Sequence, residues 1–197
     1  MLYFKKIRWQ NFLSTGNQFT EIQLNKSQST LIVGENGAGK STMLDAISFA
    51  LYGKPYRNIN KPQLVNSITN KSALVEIEFS SKSKEYLIRR GIKPAKFEIF
   101  CDGILVDQNA SIREYQEYLE KTVLKLNHKS FTQIVVIGSA NFVPFMQMKV
   151  WERRSVIEDL LDIEIFTKMH NVLKERIAAN KDEIISAKYK IDLLDEK

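Results

Sequence analysis

Apolar and charged positions alternate unevenly along the opening "YFKKIRWQNF", where Phe4, Ile7 and Trp9 predict a strand with those side chains in a core. A second run, "STLIVG", is short, β-branched and closed by Gly34, which suits a strand buried on both faces of a sheet. From Lys40 the pattern becomes a helix apolar on most sides, through Met43, Leu44, Ala46, Ile47, Phe49, Ala50 and Leu51, as expected inside a layered protein. Gly53 is placed to stop it and Pro55 to prevent its continuation.

Across residues 73–106 the period is two. "ALVEIEF" and "EYLIRR" flank the polar turn "SSKSK"; Phe97, Ile99 and Cys101 then alternate up to Asp102-Gly103, a hairpin signal, before "ILV". Ser111 and Glu114 form a capping box that opens a helix running to about Leu126. "FTQIVVIG", residues 131–138, predicts another buried strand. From Trp151 the chain reads as helical to its end, without glycine or proline. Ile177, Asn180, Ile184, Ala187, Ile191 and Leu194 fall at alternating spacings of 3 and 4, either the start of a coiled-coil seam or one face of a long helix packed on its own domain. The pattern divides the chain into a lobe, residues 1–150, and a helical stem, residues 151–197.

A hydrophobic fraction of 44% belongs to a folded domain rather than a disordered tail. No apolar run reaches the roughly 18 residues of a membrane helix, and Lys5, Lys6 and Arg8 interrupt the place of a signal peptide. One cysteine, Cys101, permits no internal disulfide, so a reducing cytoplasm and no membrane are expected. The net charge of +6 favours a polyanionic partner without deciding it.

The strongest chemical signal is G-x-x-x-x-G-K-S: Gly34, Glu35, Asn36, Gly37, Ala38, Gly39, Lys40 and Ser41, followed by Thr42. Its glycines let consecutive backbone N–H groups curl around a phosphate, and the helix start adds unsatisfied N–H groups and partial positive charge. These residues predict an ATP cradle in which Lys40, the candidate catalytic residue, reaches the β- and γ-phosphates and Ser41 ligates Mg2+. Hydrolysis needs in addition an acid at a strand end and a group to orient water. The nearest acidic stretches, "DLLDIE" and "DLLDEK", lie in the helical segment; His128 and His170 read as solvated residues.

"KKIRWQNFLSTG", "GENGAGKSTMLDAISFALYGK" and "WERRSVIEDLLDIEIF" resemble the SMC-like ABC ATPases, and among them the SbcC-type repair ATPases, including those of T-even-like bacteriophages. The resemblance implies an α/β fold: the N-terminal lobe of a P-loop NTPase head of ABC type, with an antiparallel β subdomain and the beginning of a coiled coil. In such proteins the acidic Walker B strand, signature loop and switch histidine come from a C-terminal lobe of the same polypeptide, and two heads close around two ATP molecules. The implied partners are that C-terminal lobe, a second head, an SbcD-type nuclease subunit and double-stranded DNA, in the cytoplasm of a cell or phage host. The family's magnesium-ligating glutamine falls at Ser139, with Gln133 and Gln147 nearby, and Leu13 stands where relatives often carry a basic residue. Lys54, Arg57, Lys61, Arg89, Arg90, Lys93 and Lys96 are candidate DNA contacts, and residues 163–173, with Phe166 and Met169, a candidate nuclease contact. A chromosome-organising SMC head and a nucleotide-binding module without hydrolysis are the alternatives.

Overall fold

The period-two stretches assemble into one six-stranded antiparallel sheet in a computed structural model that describes residues 2–106, 111–136, 143–161 and 163–195. Its strands are β1 (Leu2–Gln10), β2 (Thr20–Gln23), β3 (Ala73–Ser81), β4 (Lys84–Ile92), β5 (Lys96–Cys101) and β6 (Ile104–Leu105), in the order β2-β1-β3-β4-β5-β6. Helix α1 (Lys40–Tyr52) packs on β1, β3 and β4. Ala46, Phe49, Ala50 and Leu51 meet Ile7, Val75, Ile77, Phe79, Ile88 and Ile99 in a core without solvent exposure. On the other face the charges pair across strands: Glu76 accepts from Arg8 Nε at 2.6 Å and Arg89 Nε at 2.5 Å, and Arg89 reaches Glu98.

Local signals act where they were expected to. The Asp102-Gly103 hairpin turns through φ 51° and 81°, and Lys82 and Ser83 turn the preceding hairpin at positive φ. Ser111 caps α2 (Ile112–Tyr118) through Glu114 in both directions, and the helix continues as wider turns over Leu119–Leu124 before Lys125 ends it at φ 55°.

Two expected strands are not strands. Residues 31–34 pair with nothing among the described residues: Leu31 is 87% exposed and Val33 81%. The sheet offers them no central place, because β1 is already paired on both sides by β2 and β3. Phe131, instead of opening a strand, lies within α3 (His128–Ile134). Asn127 caps this helix, accepting from Ser130 N–H at 2.9 Å, and Phe131 is buried against the Tyr52 ring, 5.3 Å between centroids. The far half of that predicted strand, with Gly138, lies outside the described residues.

The chain separates into two compact units, Met1–Met148 and Lys149–Lys197. The second is interrupted where one helix was expected: α4 (Val150–Leu160) and α5 (Glu164–Asp195) are divided by a turn at Leu161. Glu158 stabilises it, its carboxylate accepting from Arg154 Nε at 2.6 Å and Thr167 Oγ1 at 2.9 Å; these bonds hold its pKa below the ordinary carboxylate value. Ile177, Ile184 and Ile191 on α5 are exposed. No described helix is long and apolar enough to cross a membrane.

Gly53 ends α1 at φ 69°, its N–H bonding Phe49 O at 2.8 Å, and a Cβ there would lie 2.8 Å from Arg90 Nη1. Arg90 is therefore not the surface cation that the sequence suggested. It is 7% exposed, donates to Ala50 O and Gln116 Oε1, and lies 3.7 Å above the Phe97 ring. With Gln116 donating to Leu51 O, it satisfies carbonyls that the helix end leaves open. Burial lowers its pKa to about 9, so it stays charged at neutral pH. Gly53→Ala is expected to add left-handed strain of about 1–2 kcal/mol and to displace this guanidinium; calorimetry should show Tm falling by about 2–8 °C.

Candidate nucleotide-binding site

The glycine loop arrives at α1 through two left-handed residues, Gly37 at φ 90° and Gly39 at φ 92°. A Cβ at Gly37 would meet nothing within 4 Å, so the backbone turn, not crowding, requires glycine there. Gly39 caps α1 without a side-chain acceptor and the first turn holds no acid, which leaves N–H donors facing outward. Lys40 folds across the loop, Nζ donating to Gly34 O at 2.6 Å and Glu35 O at 2.7 Å. Thr42 is buried beneath, its N–H bonded to Gly39 O at 3.0 Å, and Ser41 is exposed.

These residues open on a cleft of about 530 Å³. Asn36, Gly37, Gly39, Lys40, Ser41 and Thr42 line one side; Gly34 and Glu35 contribute the carbonyls that hold Lys40, and Ala38 is exposed on the loop, its N–H bonded to Glu35 O. The opposite side comes from Leu13, Ser14, Arg57, Gln63, Val65 and Ser67. Leu13 N–H bonds Leu64 O at 2.7 Å and Phe12 bridges Val65, so the turn after β1 and the segment around Val65 form one wall. Gln133 lies on α3 and does not line this cleft; Ser139 is outside the described residues.

Arg57 was read as a DNA contact; the structure places it on the cleft wall. Asp45, fully buried on α1, accepts from the Arg57 backbone N–H at 2.9 Å and from Nε at 2.7 Å, with Nη2 at 2.5 Å. The sequence held the clue: an acid inside an apolar helix demands a cationic partner. His128, read as solvated, is half-buried, its Nε2 3.1 Å from Ser48 Oγ and its ring edge-on to Tyr52. His170 is exposed on α5.

The donor set suits a magnesium polyphosphate: Lys40 and Arg57 supply positive charge, the N–H groups at the start of α1 supply directional donors, and Ser41 supplies a free hydroxyl for a metal. Among the described residues the lining contains no carboxylate or imidazole, and there is no cluster of three or more potential metal-ligating His, Cys, Asp or Glu.

A family model described as an AAA domain matches residues 6–197. The chain belongs to this AAA-domain family. The AAA-domain chain is 42% identical over 185 residues to "Exonuclease subunit 2" of Escherichia phage RB69, a match covering 93% of this chain and 33% of that protein. It is 30% identical over 192 residues to the "DNA double-strand break repair Rad50 ATPase" of Thermoplasma acidophilum, covering 94% of this chain and 21% of that one. The Smc head domain of Pyrococcus furiosus, solved with an extended coiled coil and bound to the C-terminal domain of ScpA, superposes with a TM-score of 0.64 at 25% identity, covering 92% of this chain and 48% of that chain. The fold is that of a P-loop ATPase head lobe, as the resemblance to SMC-like, SbcC-type ATPases implied. The chain spans about a third or less of the length of these curated relatives.

Proposed function

We propose that this lobe binds Mg-ATP for a DNA repair or recombination ATPase that regulates a partner nuclease through closure of two heads. The observation that carries the reading is Lys40 spanning a left-handed glycine loop, opposite Arg57 on the same cleft. Lys40 would exchange its two carbonyl partners for β- and γ-phosphate oxygens, the α1 N–H groups would hold the adjacent phosphates, and Ser41 would ligate Mg2+. Bound Mg2+ supplies charge neutralisation on the phosphates. Arg57 would add a cation from the other wall, oriented before binding by Asp45.

The described lining of the cleft has no carboxylate or imidazole to hold a metal or act as a base, which supports a division of labour: an acidic strand, a signature loop and a histidine are contributed by a C-terminal lobe of the same ATPase and by a second head. Exposed Leu31 and Val33 support an apolar surface awaiting that lobe. Residues 151–197 are the proposed coiled-coil stem. A double-stranded DNA partner rests on the relatives' names; Lys54 and Lys61 remain exposed for it, whereas Arg57 and Arg90 are committed within the lobe.

The test uses the full-length protein with its nuclease subunit. ATP turnover that rises with duplex DNA supports the reading; ATP bound without turnover in that complete assembly favours the non-hydrolysing module instead. Phe166 and Met169 on α5 are 66% and 60% exposed, which supports a nuclease-docking face. The pair Phe166→Glu and Met169→Glu should abolish co-purification of the nuclease and leave ATP affinity unchanged, as read by pull-down and titration calorimetry.

A further inference from the structure

Residues 54–57 carry Arg57 from the end of α1 to the cleft, and they are gripped at both ends. At the cleft end Asp45 holds Arg57 through its main chain and its guanidinium. At the other end Ser48, fully buried one turn further along α1, donates its hydroxyl to Lys54 O at 2.8 Å. That hydroxyl also meets His128 Nε2 at 3.1 Å. Ser48 has one hydrogen and gives it to Lys54, so the imidazole is the donor of the second bond. The edge of the ring rests on Tyr52. A residue from the first turn of α3 thus meets, through Ser48, the segment that delivers Arg57, without reaching the cleft itself.

We propose that His128 is a positioning residue for the nucleotide site: with Ser48 it fixes residue 54, and so the approach of Arg57, which lets α3 set the strength of ATP binding. The proposal rests on reading the cleft as a triphosphate site. Asp45 alone would orient the guanidinium, but the backbone that bears it is a short loop after Gly53, and the Ser48 bond to Lys54 O, braced by His128, constrains the start of that loop.

The arrangement works with a neutral ring. Burial, then the neighbouring Lys54 charge, push the His128 pKa below its ordinary value, against the opposing effect of the nearby Pro55 backbone. Lys54 from the loop and Tyr52 from α1 are the titratable groups facing it. Below the ordinary histidine value of about 6.5 the unfolded chain takes up the proton more readily than this site does, so the clamp weakens as pH falls.

The experiment is titration of Mg-ATP into the full-length protein from pH 5.5 to 8, with thermal midpoints recorded in parallel. His128→Ala is expected to weaken ATP binding about 5- to 10-fold at pH 8 and to have no further effect when Arg57→Ala is already present. His128→Gln, which keeps a donor and cannot ionise, should bind like the wild type at pH 8 and lose only the part of the acid-side weakening that the wild type shows in excess. Equal losses from His128→Ala with and without Arg57, or wild-type affinity in His128→Ala, would overturn the proposal and assign His128 to packing alone. Lys40→Ala distinguishes the two levels: if it also leaves ATP binding intact, the nucleotide reading has failed, whereas if it removes binding, only the role of His128 is rejected.

Discussion

Lys40→Ala should weaken Mg-ATP binding by about 100-fold while moving Tm by less than about 2 °C. The stability half follows from exposure: Lys40 is a surface side chain, and its two acceptors, Gly34 O and Glu35 O, lie on an exposed loop where water replaces the ammonium. The binding half follows from what the amine exchanges. Two neutral carbonyl partners give way to charged phosphate oxygens, and charge-assisted bonds contribute about 1.5–3 kcal/mol each; allowing for the carbonyl bonds surrendered, a net of about 3 kcal/mol corresponds to about 100-fold. Lys40→Arg should not restore it, because a planar guanidinium cannot span Gly34 and Glu35 and meet the same phosphates as a compact ammonium does. Calorimetric titration measures both variants, and undiminished affinity in Lys40→Ala would remove the glycine loop from the account.

The half of the cleft that could be read in the sequence is the half that is contiguous in it. Gly34 to Thr42 function through local geometry: two left-handed glycines, a helix start and a lysine one residue later. The facing wall brings Leu13, Arg57, Val65 and Ser67 together through the Phe12–Val65 bridge and the Asp45–Arg57 pair, contacts that no spacing rule encodes. The same division runs through the fold. Gly53, the Asp102-Gly103 hairpin and the Ser111–Glu114 box are decided within a few residues and were legible. The apolar runs at residues 31–34 and 131–138 look alike as sequence, and a short apolar run does not choose between strand and other structure without a partner. At the first, the neighbouring strand is already paired on both sides; at the second, Asn127 and the Tyr52 ring favour a helix turn. His128 was read as solvated because its neighbours Ser48 and Lys54 are some seventy to eighty positions away in the chain.

Phe49→Ala is the largest expected stability change, about 3–5 kcal/mol and a fall in Tm of about 10 °C or more. Phe49 has no exposed surface and lies 5.5 Å from the Phe12 ring, so its removal opens a cavity between α1 and the turn after β1. Phe12 is also fully buried and precedes Leu13 on the cleft wall, with its backbone bridged to Val65 on the same wall. Loss of the Phe49 ring should therefore reach the site indirectly, weakening ATP binding a few-fold at temperatures where the lobe remains folded, far less than Lys40→Ala. Phe49→Leu refills much of the volume and should cost about 1.5 kcal/mol or less, with affinity near that of the wild type. The two kinds of variant should then fall on opposite axes when Tm is set against ATP affinity: Lys40→Ala moves affinity without stability, and Phe49→Ala moves stability first. If Phe49→Ala instead leaves Tm unchanged, α1 is not anchored to the sheet through this ring, and the rigid placement of the glycine loop over the core loses its physical basis.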